Sequence, residues 1–150
     1  MKKYEFTGEV KAWFGRTLHR IRATASFGDV KAGDVGGWIE KEENLSHNGD
    51  AWVYGNAQVS GNAQVSGNAW VSKQTRWICI GPIGSRNGFT TFFRAKDAKI
   101  FVTCGCFRGD IDTFAAKVRE THGDSTHAKA YMAAIELAKA RIDLSEEDEA

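Results

Sequence analysis

The sequence predicts an α+β protein. A short hexapeptide-repeat β-solenoid, similar to a left-handed β-helix, is expected to be capped by an N-terminal β-hairpin and by a C-terminal module of three strands and two helices. Three observations lead to this prediction. A strict six-residue repeat occupies the middle of the chain, period-two alternation marks strands on both sides of it, and helical periodicity appears only in the last third.

The first element is the hairpin, predicted within residues 1–29. Two runs that alternate between apolar and polar residues, YEFTGEVKAW and RTLHRIRATASF, flank a turn at Phe14 and Gly15. In the second run Arg16, Arg20 and Arg22 share one face, because strand side chains alternate between the two faces of a sheet. The hairpin is therefore expected to carry a row of arginines on its outer surface.

The second element is the repeat, predicted over residues 30–72 with a degenerate beginning. Three phases recur every six residues: Ala51, Ala57, Ala63 and Ala69; Val53, Val59, Val65 and Val71; and Gly55, Gly61 and Gly67. Valine packs well on a pleated surface, alanine fits near a corner, and Gly-Asn supplies the tight turn. Six is the period of a β-solenoid whose short strands wind around a triangular core.

The third element is an α+β module over residues 73–142. The β-branched and aromatic runs RWICIG, GFTTFFRA and KIFVTCGCF predict a three-stranded antiparallel meander. Helices are predicted near residues 112–123, where a glycine ends the first one, and over about 126–142. Residues 143–150 carry five acids and no base, which predicts a disordered acidic tail.

The composition is that of a soluble globular protein, with 150 residues of which 42% are hydrophobic and 26% are charged. There is no apolar run of about 18 residues and no apolar N-terminal stretch, so we expect no membrane span, no signal peptide and a cytoplasmic location. The formal net charge is +1 and the tail holds five acids, so the rest of the chain is basic. Without a recognition motif, this excess does not predict nucleic-acid binding.

Two segments are candidates for enzymatic or anion-binding chemistry. Among the four histidines, only His47 lies in the predicted solenoid, where acyltransferases with this type of repeat carry a general base. The loop GPIGSRNG, with Arg86 and Asn87, has the composition of a loop that presents N–H groups to a phosphate. It matches neither a P-loop nor a dinucleotide-binding motif, and a plain hairpin connection is the favoured interpretation.

The cysteines suggest a metal site only weakly. Cys104 and Cys106 would point to one face of a strand, with Cys79 on the neighbouring strand and His122 or His127 downstream. No C-x-x-C pair accompanies them, and cysteine is among the residue types most often buried in a core. An odd number of cysteines also does not form a disulfide framework. We therefore predict neither a metal nor a cofactor.

Tryptophan and arginine, the residue types most frequent at interface hot spots, supply the predicted binding surface. Trp52 and Trp70 occupy the outward phase of their hexads and lie one predicted solenoid turn apart, so they should stack on one face. They either pack against the flanking elements, which is the favoured interpretation, or mark a partner site. The predicted binding residues are Trp52, Trp70, Arg20, Arg22, Arg86 and Asn87.

Two stretches resemble proteins of phages and prophages. FGDVKAGDVGGWIEKEENLSHNGDAWVYGNAQVSGNA looks like small phage proteins in which this opening precedes GNA-x-V repeats, and the segment from RWICIG to LAKARI resembles a module appended to such proteins. The resemblance implies a virus-encoded accessory protein that acts inside the bacterium. It brings no catalytic residues that can be carried over.

The sequence thus predicts a non-enzymatic phage accessory protein of the host cytoplasm. It is expected to bind a host protein or complex, and inhibition of a bacterial defence system is the most specific form of that expectation. Homo-oligomerisation is expected because self-association would cover the exposed ends of a short solenoid. Two alternatives stay open: a binder that sequesters a nucleotide signal through GPIGSRNG, and a hexapeptide-repeat acyltransferase.

Overall fold

The structure is a computed structural model that describes residues 2–145, so most of the predicted acidic tail, residues 146–150, lies outside the described residues. The strands are β1 (Tyr4–Trp13), β2 (Arg16–Ala23), β3 (Val35–Ile39), β4 (Trp52–Val53), β5 (Gln58–Val59), β6 (Trp70–Val71), β7 (Trp77–Ile83), β8 (Gly88–Arg94), β9 (Ile100–Cys104) and β10 (Phe107–Asp110). The helices are α1 (Ile111–His122) and α2 (Thr126–Arg141). Two single 3₁₀ turns cover Glu42–Asn44 and Gln74–Arg76. No helix within residues 2–145 has the length and apolar character needed to cross a lipid bilayer.

The N-terminal sheet has the strand order β1-β2-β3-β5. β1 and β2 form the predicted antiparallel hairpin, with Trp13 opposite Arg16 across the turn. β3 runs antiparallel to β2 and parallel to β5. The hairpin therefore brings β1 to the outer edge of the sheet and attaches the repeat at the opposite edge.

The predicted β-solenoid is wrong. The strands of the repeat are two residues long and belong to two separate sheets, because β5 joins the hairpin sheet while β4 pairs only with β6. Some backbone N–H groups of the repeat bond to side chains where a solenoid would pair them with a neighbouring strand. The Gln58 N–H donates to Gln74 Oε1 at 2.6 Å, and the Gln64 N–H donates to Thr91 Oγ1 at 2.9 Å. The chain is a mixed α+β protein with several sheets, most of whose strand pairs are antiparallel.

The two inward phases of the repeat are nevertheless confirmed. Its four alanines and four valines are each no more than 2% exposed and share one core with Tyr4, Ile21 and Ile39 of the hairpin sheet. Small and β-branched side chains thus fill a narrow interior, as their volumes require. The repeat segment, residues 41–72, is packed as the sequence indicates although its strands do not stack as predicted.

The C-terminal sheet has four antiparallel strands in the order β10-β9-β8-β7, where the sequence predicted three. The run KIFVTCGCF is divided by a turn at Gly105 and Cys106, and Phe107 then pairs with Cys104. One face of the sheet packs on the repeat segment through Trp77, Cys79, Phe93 and Phe101. The other face packs on α1 and α2. The sheet is therefore the middle one of three layers.

Candidate functional site

The arginines predicted to line the β1–β2 hairpin form hydrogen bonds and a cation–π contact with other residues of the protein. Arg16 Nη1 donates to Glu40 Oε1 at 2.7 Å, and Arg22 donates through Nη2 and Nε to Glu5 Oε2 at 2.6 and 3.1 Å. The guanidinium of Arg20 lies 5.0 Å from the centroid of the Trp38 ring, and its Nη2 donates to the Gly55 carbonyl at 3.2 Å. Arg20 and Arg22 therefore hold the hairpin in place and do not form a free basic patch.

Trp52 and Trp70 are paired side by side in parallel register, as their spacing predicts. Trp52 does not point outward, however: it is 1% exposed and contacts Tyr4 and Phe27 edge to face at ring centroid distances of 6.3 and 5.4 Å. Trp52 therefore packs against the elements that flank the repeat, the interpretation favoured from the sequence. Its burial corrects both its predicted outward orientation and its place among the predicted binding residues.

Trp70 lies between two buried arginines. The guanidinium carbons of Arg76 and Arg94 are 4.4 and 4.3 Å from the centroid of its ring. Both arginines are 0% exposed, whereas the tryptophan is half-buried. Cation–π contacts of this kind are stronger when they are removed from water. Trp70 therefore joins the repeat segment to the C-terminal module.

The most exposed large apolar side chain among the described residues lies at the tip of the hairpin. Phe14 is 87% exposed and has a φ of 49°, and Gly15 beside it has a φ of 76°. Two positive φ values define the type I′ turn of a two-residue hairpin, for which Asn-Gly is favoured. The sequence analysis located the turn but overlooked that a phenylalanine there is both strained and exposed.

His47 makes the contacts of a structural residue. Its Nδ1 accepts the Lys3 N–H at 3.1 Å, and its Nε2 lies 3.0 Å from Glu42 Oε1. Since a backbone N–H only donates, Nδ1 is the unprotonated nitrogen and Nε2 carries the proton. The hydrogen bond from His47 holds the pKa of Glu42 below its usual value, with Lys2 adding to the effect. The basic nitrogen that a general base needs is thus already occupied.

A groove of about 730 Å³ lies between the repeat segment and the C-terminal module. We call it the Arg86 groove. The repeat segment contributes Lys41, Glu43, Asn62, Ala63 and Gln64, the β7–β8 hairpin contributes Ser85, Arg86, Gly88 and Phe89, the β9–β10 turn contributes Cys104, Gly105 and Cys106, and α2 contributes Tyr131. Arg86 thus lies in a groove, which the sequence could not show because its other wall comes from residues 41–64.

Of the segment GPIGSRNG, residues 84–87 form the turn between β7 and β8, and the rest belongs to the two strands. The Asn87 N–H donates to the Gly84 carbonyl at 3.1 Å, and Asn87 itself has a φ of 51°. Asn87 is exposed and serves the turn, whereas Arg86 lines the groove. No helix starts at this loop, as the sequence analysis expected.

The three cysteines do not converge. Cys79 accepts a hydrogen bond from Thr91 Oγ1 at 3.7 Å and Cys104 accepts one from Thr90 Oγ1 at 3.2 Å. Because Thr90 and Thr91 are consecutive on β8, the two thiols lie on opposite faces of the sheet. Cys106 is exposed in the turn and does not share a strand face with Cys104. Within residues 2–145, no group of three His, Cys, Asp or Glu side chains is arranged to hold a metal ion.

Comparison with known proteins gives a partial similarity. No family model matches the chain. The uncharacterized acetyltransferase YdcK of Escherichia coli (strain K12) is 36% identical over 62 residues, which cover 36% of this chain and 19% of that protein. The chain thus matches about a fifth of the length of this curated relative. The similarity bears on the acyl-transfer alternative, and it falls short of assigning the chain to a family.

Proposed function

We propose that this protein is a non-enzymatic phage or prophage accessory protein that binds a host protein or complex through the tip of its β1–β2 hairpin. Inhibition of a bacterial defence system is the specific form of this proposal. The phage source is supported by the resemblance of the segments described above. The expected homo-oligomer stays a prediction, which light scattering of the purified protein tests.

The observation that carries the proposal is the conformation of Phe14. A bulky side chain in the left-handed region costs about 1–2 kcal/mol relative to an ordinary conformation. The Phe14 ring contacts Trp13 edge to face at a centroid distance of 5.2 Å, yet it remains 87% exposed. This contact leaves most of the ring uncovered, so local packing alone does not account for a phenylalanine at this position. Backbone outliers of this kind are concentrated at binding sites, and exposed aromatic rings are frequent anchors in partner pockets.

The substitution Phe14→Asn separates stability from binding. Asparagine tolerates the left-handed region, so we expect the free energy of unfolding to rise by about 1 kcal/mol. The same substitution removes the proposed anchor, so host proteins captured by the native protein should be lost from the variant. Urea unfolding and quantitative mass spectrometry of proteins captured from bacterial lysate measure the two effects.

The control is Leu137→Gln, which removes a side chain that is 50% exposed on α2, away from the hairpin. This variant should retain the captured proteins. The proposal would be refuted if Phe14→Asn captured the same proteins as the native chain in the same amounts.

Acetyl transfer is a second candidate function, favoured by the similarity to an acetyltransferase over 62 residues. For His47 to act as a base, its Nδ1 would have to release the Lys3 N–H. Incubation with acetyl-coenzyme A and small amine acceptors, followed by chromatography, tests this directly. Turnover by the native protein that disappears in His47→Ala would overturn the non-enzymatic proposal.

A further inference from the structure

We propose that the Arg86 groove binds a nucleotide, with its phosphate on Arg86 and Lys41 and its base on Phe89. This inference goes beyond the proposed partner binding, because the groove lies between the repeat segment and the C-terminal module and includes no residue of the β1–β2 hairpin. A volume of about 730 Å³ is that of a small-molecule site.

The charges of the groove suit a phosphate. Lys41 on the repeat segment and Arg86 on the β7–β8 turn come from different elements, are both exposed, and form no ion pair with a described residue. An arginine binds phosphate in bidentate fashion, and a lysine adds a point charge. Glu43 also lines the groove. Its carboxylate repels inorganic phosphate, but it can accept hydrogen bonds from the sugar hydroxyl or base amino groups of a nucleotide. The groove is therefore expected to prefer a nucleotide to inorganic phosphate.

The remaining walls suit a base. Phe89 is 38% exposed and Tyr131 is half-buried, and both line the groove. A nucleotide base stacks favourably on an aromatic ring whatever its identity. Asn62 and Gln64 line the same groove, and a side-chain amide can both donate and accept hydrogen bonds at a base edge.

The turn that carries Arg86 is fixed by packing. Gly84 has a φ of 83°, and a Cβ atom at this position would collide with the Tyr131 hydroxyl. α2 therefore presses Tyr131 directly against the backbone two residues before Arg86. Burial raises the pKa of the Tyr131 hydroxyl, with the neighbouring Cys104 adding to the effect, so the phenol stays neutral. A site that is ordered before binding loses less entropy when its ligand arrives.

Calorimetry of the full chain with AMP, ATP, a cyclic dinucleotide, adenosine and inorganic phosphate tests this inference. We expect at least one nucleotide to bind more tightly than adenosine or phosphate alone. Arg86→Ala should weaken that binding about tenfold and leave adenosine unaffected, because the substitution removes a charged hydrogen bond to a phosphate that adenosine lacks. Phe89→Ala should weaken the nucleotide and adenosine alike.

Arg119→Ala is the matched control, since it removes an exposed arginine of α1 outside the groove. Thermal unfolding of each variant checks that the fold is intact. The inference is overturned if none of the nucleotides binds saturably, or if Arg119→Ala reduces affinity as much as Arg86→Ala does. Phe14→Asn should bind the nucleotide normally, so failure of the groove and failure of the hairpin surface can be told apart.

Discussion

Asn44 is a fully buried amide whose hydrogen-bonding positions all find backbone partners. Its Oδ1 accepts from the N–H groups of Glu40 and Lys41 at 3.1 and 2.9 Å, and its Nδ2 donates to the carbonyls of Gly61 and Ala63 at 3.1 and 2.9 Å. One side chain thus joins the 3₁₀ turn to the repeat nearly twenty residues later. A buried polar group is tolerated when it is satisfied in this way.

Replacing Asn44 by alanine should destabilise the protein by about 3 kcal/mol, because the substitution removes four hydrogen bonds to backbone groups, one of them fully buried. Asn48→Ala, which truncates an exposed asparagine nearby, should change stability by less than about 0.5 kcal/mol. Urea unfolding measures both. Equal losses in the two variants would show that the Asn44 amide contributes nothing specific.

Lys3 is a buried ammonium group at the start of β1. Its Nζ donates to the carbonyls of Gly49 and Ala51 at 3.1 and 2.7 Å and lies 4.4 Å from the centroid of the Phe27 ring. Burial lowers its pKa from the usual 10.5 to about 8, and the attraction of Asp50 restores only part of this. Between these two values the unfolded chain binds more protons than the folded one, so the free energy of unfolding should rise with pH.

Lys3→Met removes this titration. Between about pH 8 and 9.5, the stability of the native protein should rise relative to that of Lys3→Met by at most about 1.4 kcal/mol per pH unit. Tyr4 and Cys79, whose pKa values burial raises, should titrate similarly in both proteins and cancel in the comparison. Urea midpoints at two pH values measure the difference. Parallel pH profiles would contradict the prediction.

At the scale of the elements, the β7–β8 turn and the β9–β10 turn offer a matched pair of glycines. Gly84 has a φ of 83° and faces the Tyr131 hydroxyl, whereas Gly105 has a φ of 58° and faces open space. Alanine is strained at both positions, but only at position 84 does it also collide with a neighbour. The contrast isolates the packing of α2 on the turn from the conformational preference of glycine.

Gly105→Ala should therefore lower the free energy of unfolding only by the conformational contribution, about 1–2 kcal/mol. Gly84→Ala should lower it further, because the turn must also move away from the Tyr131 hydroxyl. Thermal unfolding of both variants provides the comparison. If the two substitutions reduced stability equally, the contact between Tyr131 and the turn would contribute nothing to the packing of α2.

Local sequence patterns predict the helices more accurately than the strand boundaries. The second helix was predicted over about residues 126–142 and is found at Thr126–Arg141, because its cap residues and apolar spacing are local signals. The sequence predicts one strand for the run KIFVTCGCF, whereas its glycine lies in a two-residue turn between β9 and β10. An uninterrupted apolar pattern does not reveal a reversal of direction when both strands remain in the same sheet.

At the scale of the whole molecule, the C-terminal sheet joins the repeat segment to the helices. Phe93 belongs to the core shared with the repeat, and its neighbour Phe92 belongs to the core shared with the helices. The proposed hairpin surface and the Arg86 groove are formed by different residues, so their variants should act independently. Arg86→Ala is accordingly expected to leave partner capture unchanged.

The sequence by itself determined the elements that depend on local periodicity. These include the turn at Phe14, the inward alanines and valines, and the two helices, because each follows from side chains that are close along the chain. It also singled out Arg86 as a candidate anion-binding residue, but from the composition of its loop alone.

Only the tertiary structure decided which strands the repeat joins, where Trp52 points and what faces Arg86. The repeat strands are two residues long: β4 and β6 pair with each other, β5 joins the hairpin sheet, and other backbone groups of the repeat take side-chain partners such as Thr91. Trp52 is buried because Tyr4, nearly fifty residues earlier, lies against it. The groove exists because Lys41 and Arg86 come from segments that meet only after folding. These outcomes depend on the packing of distant segments, which a six-residue period does not encode.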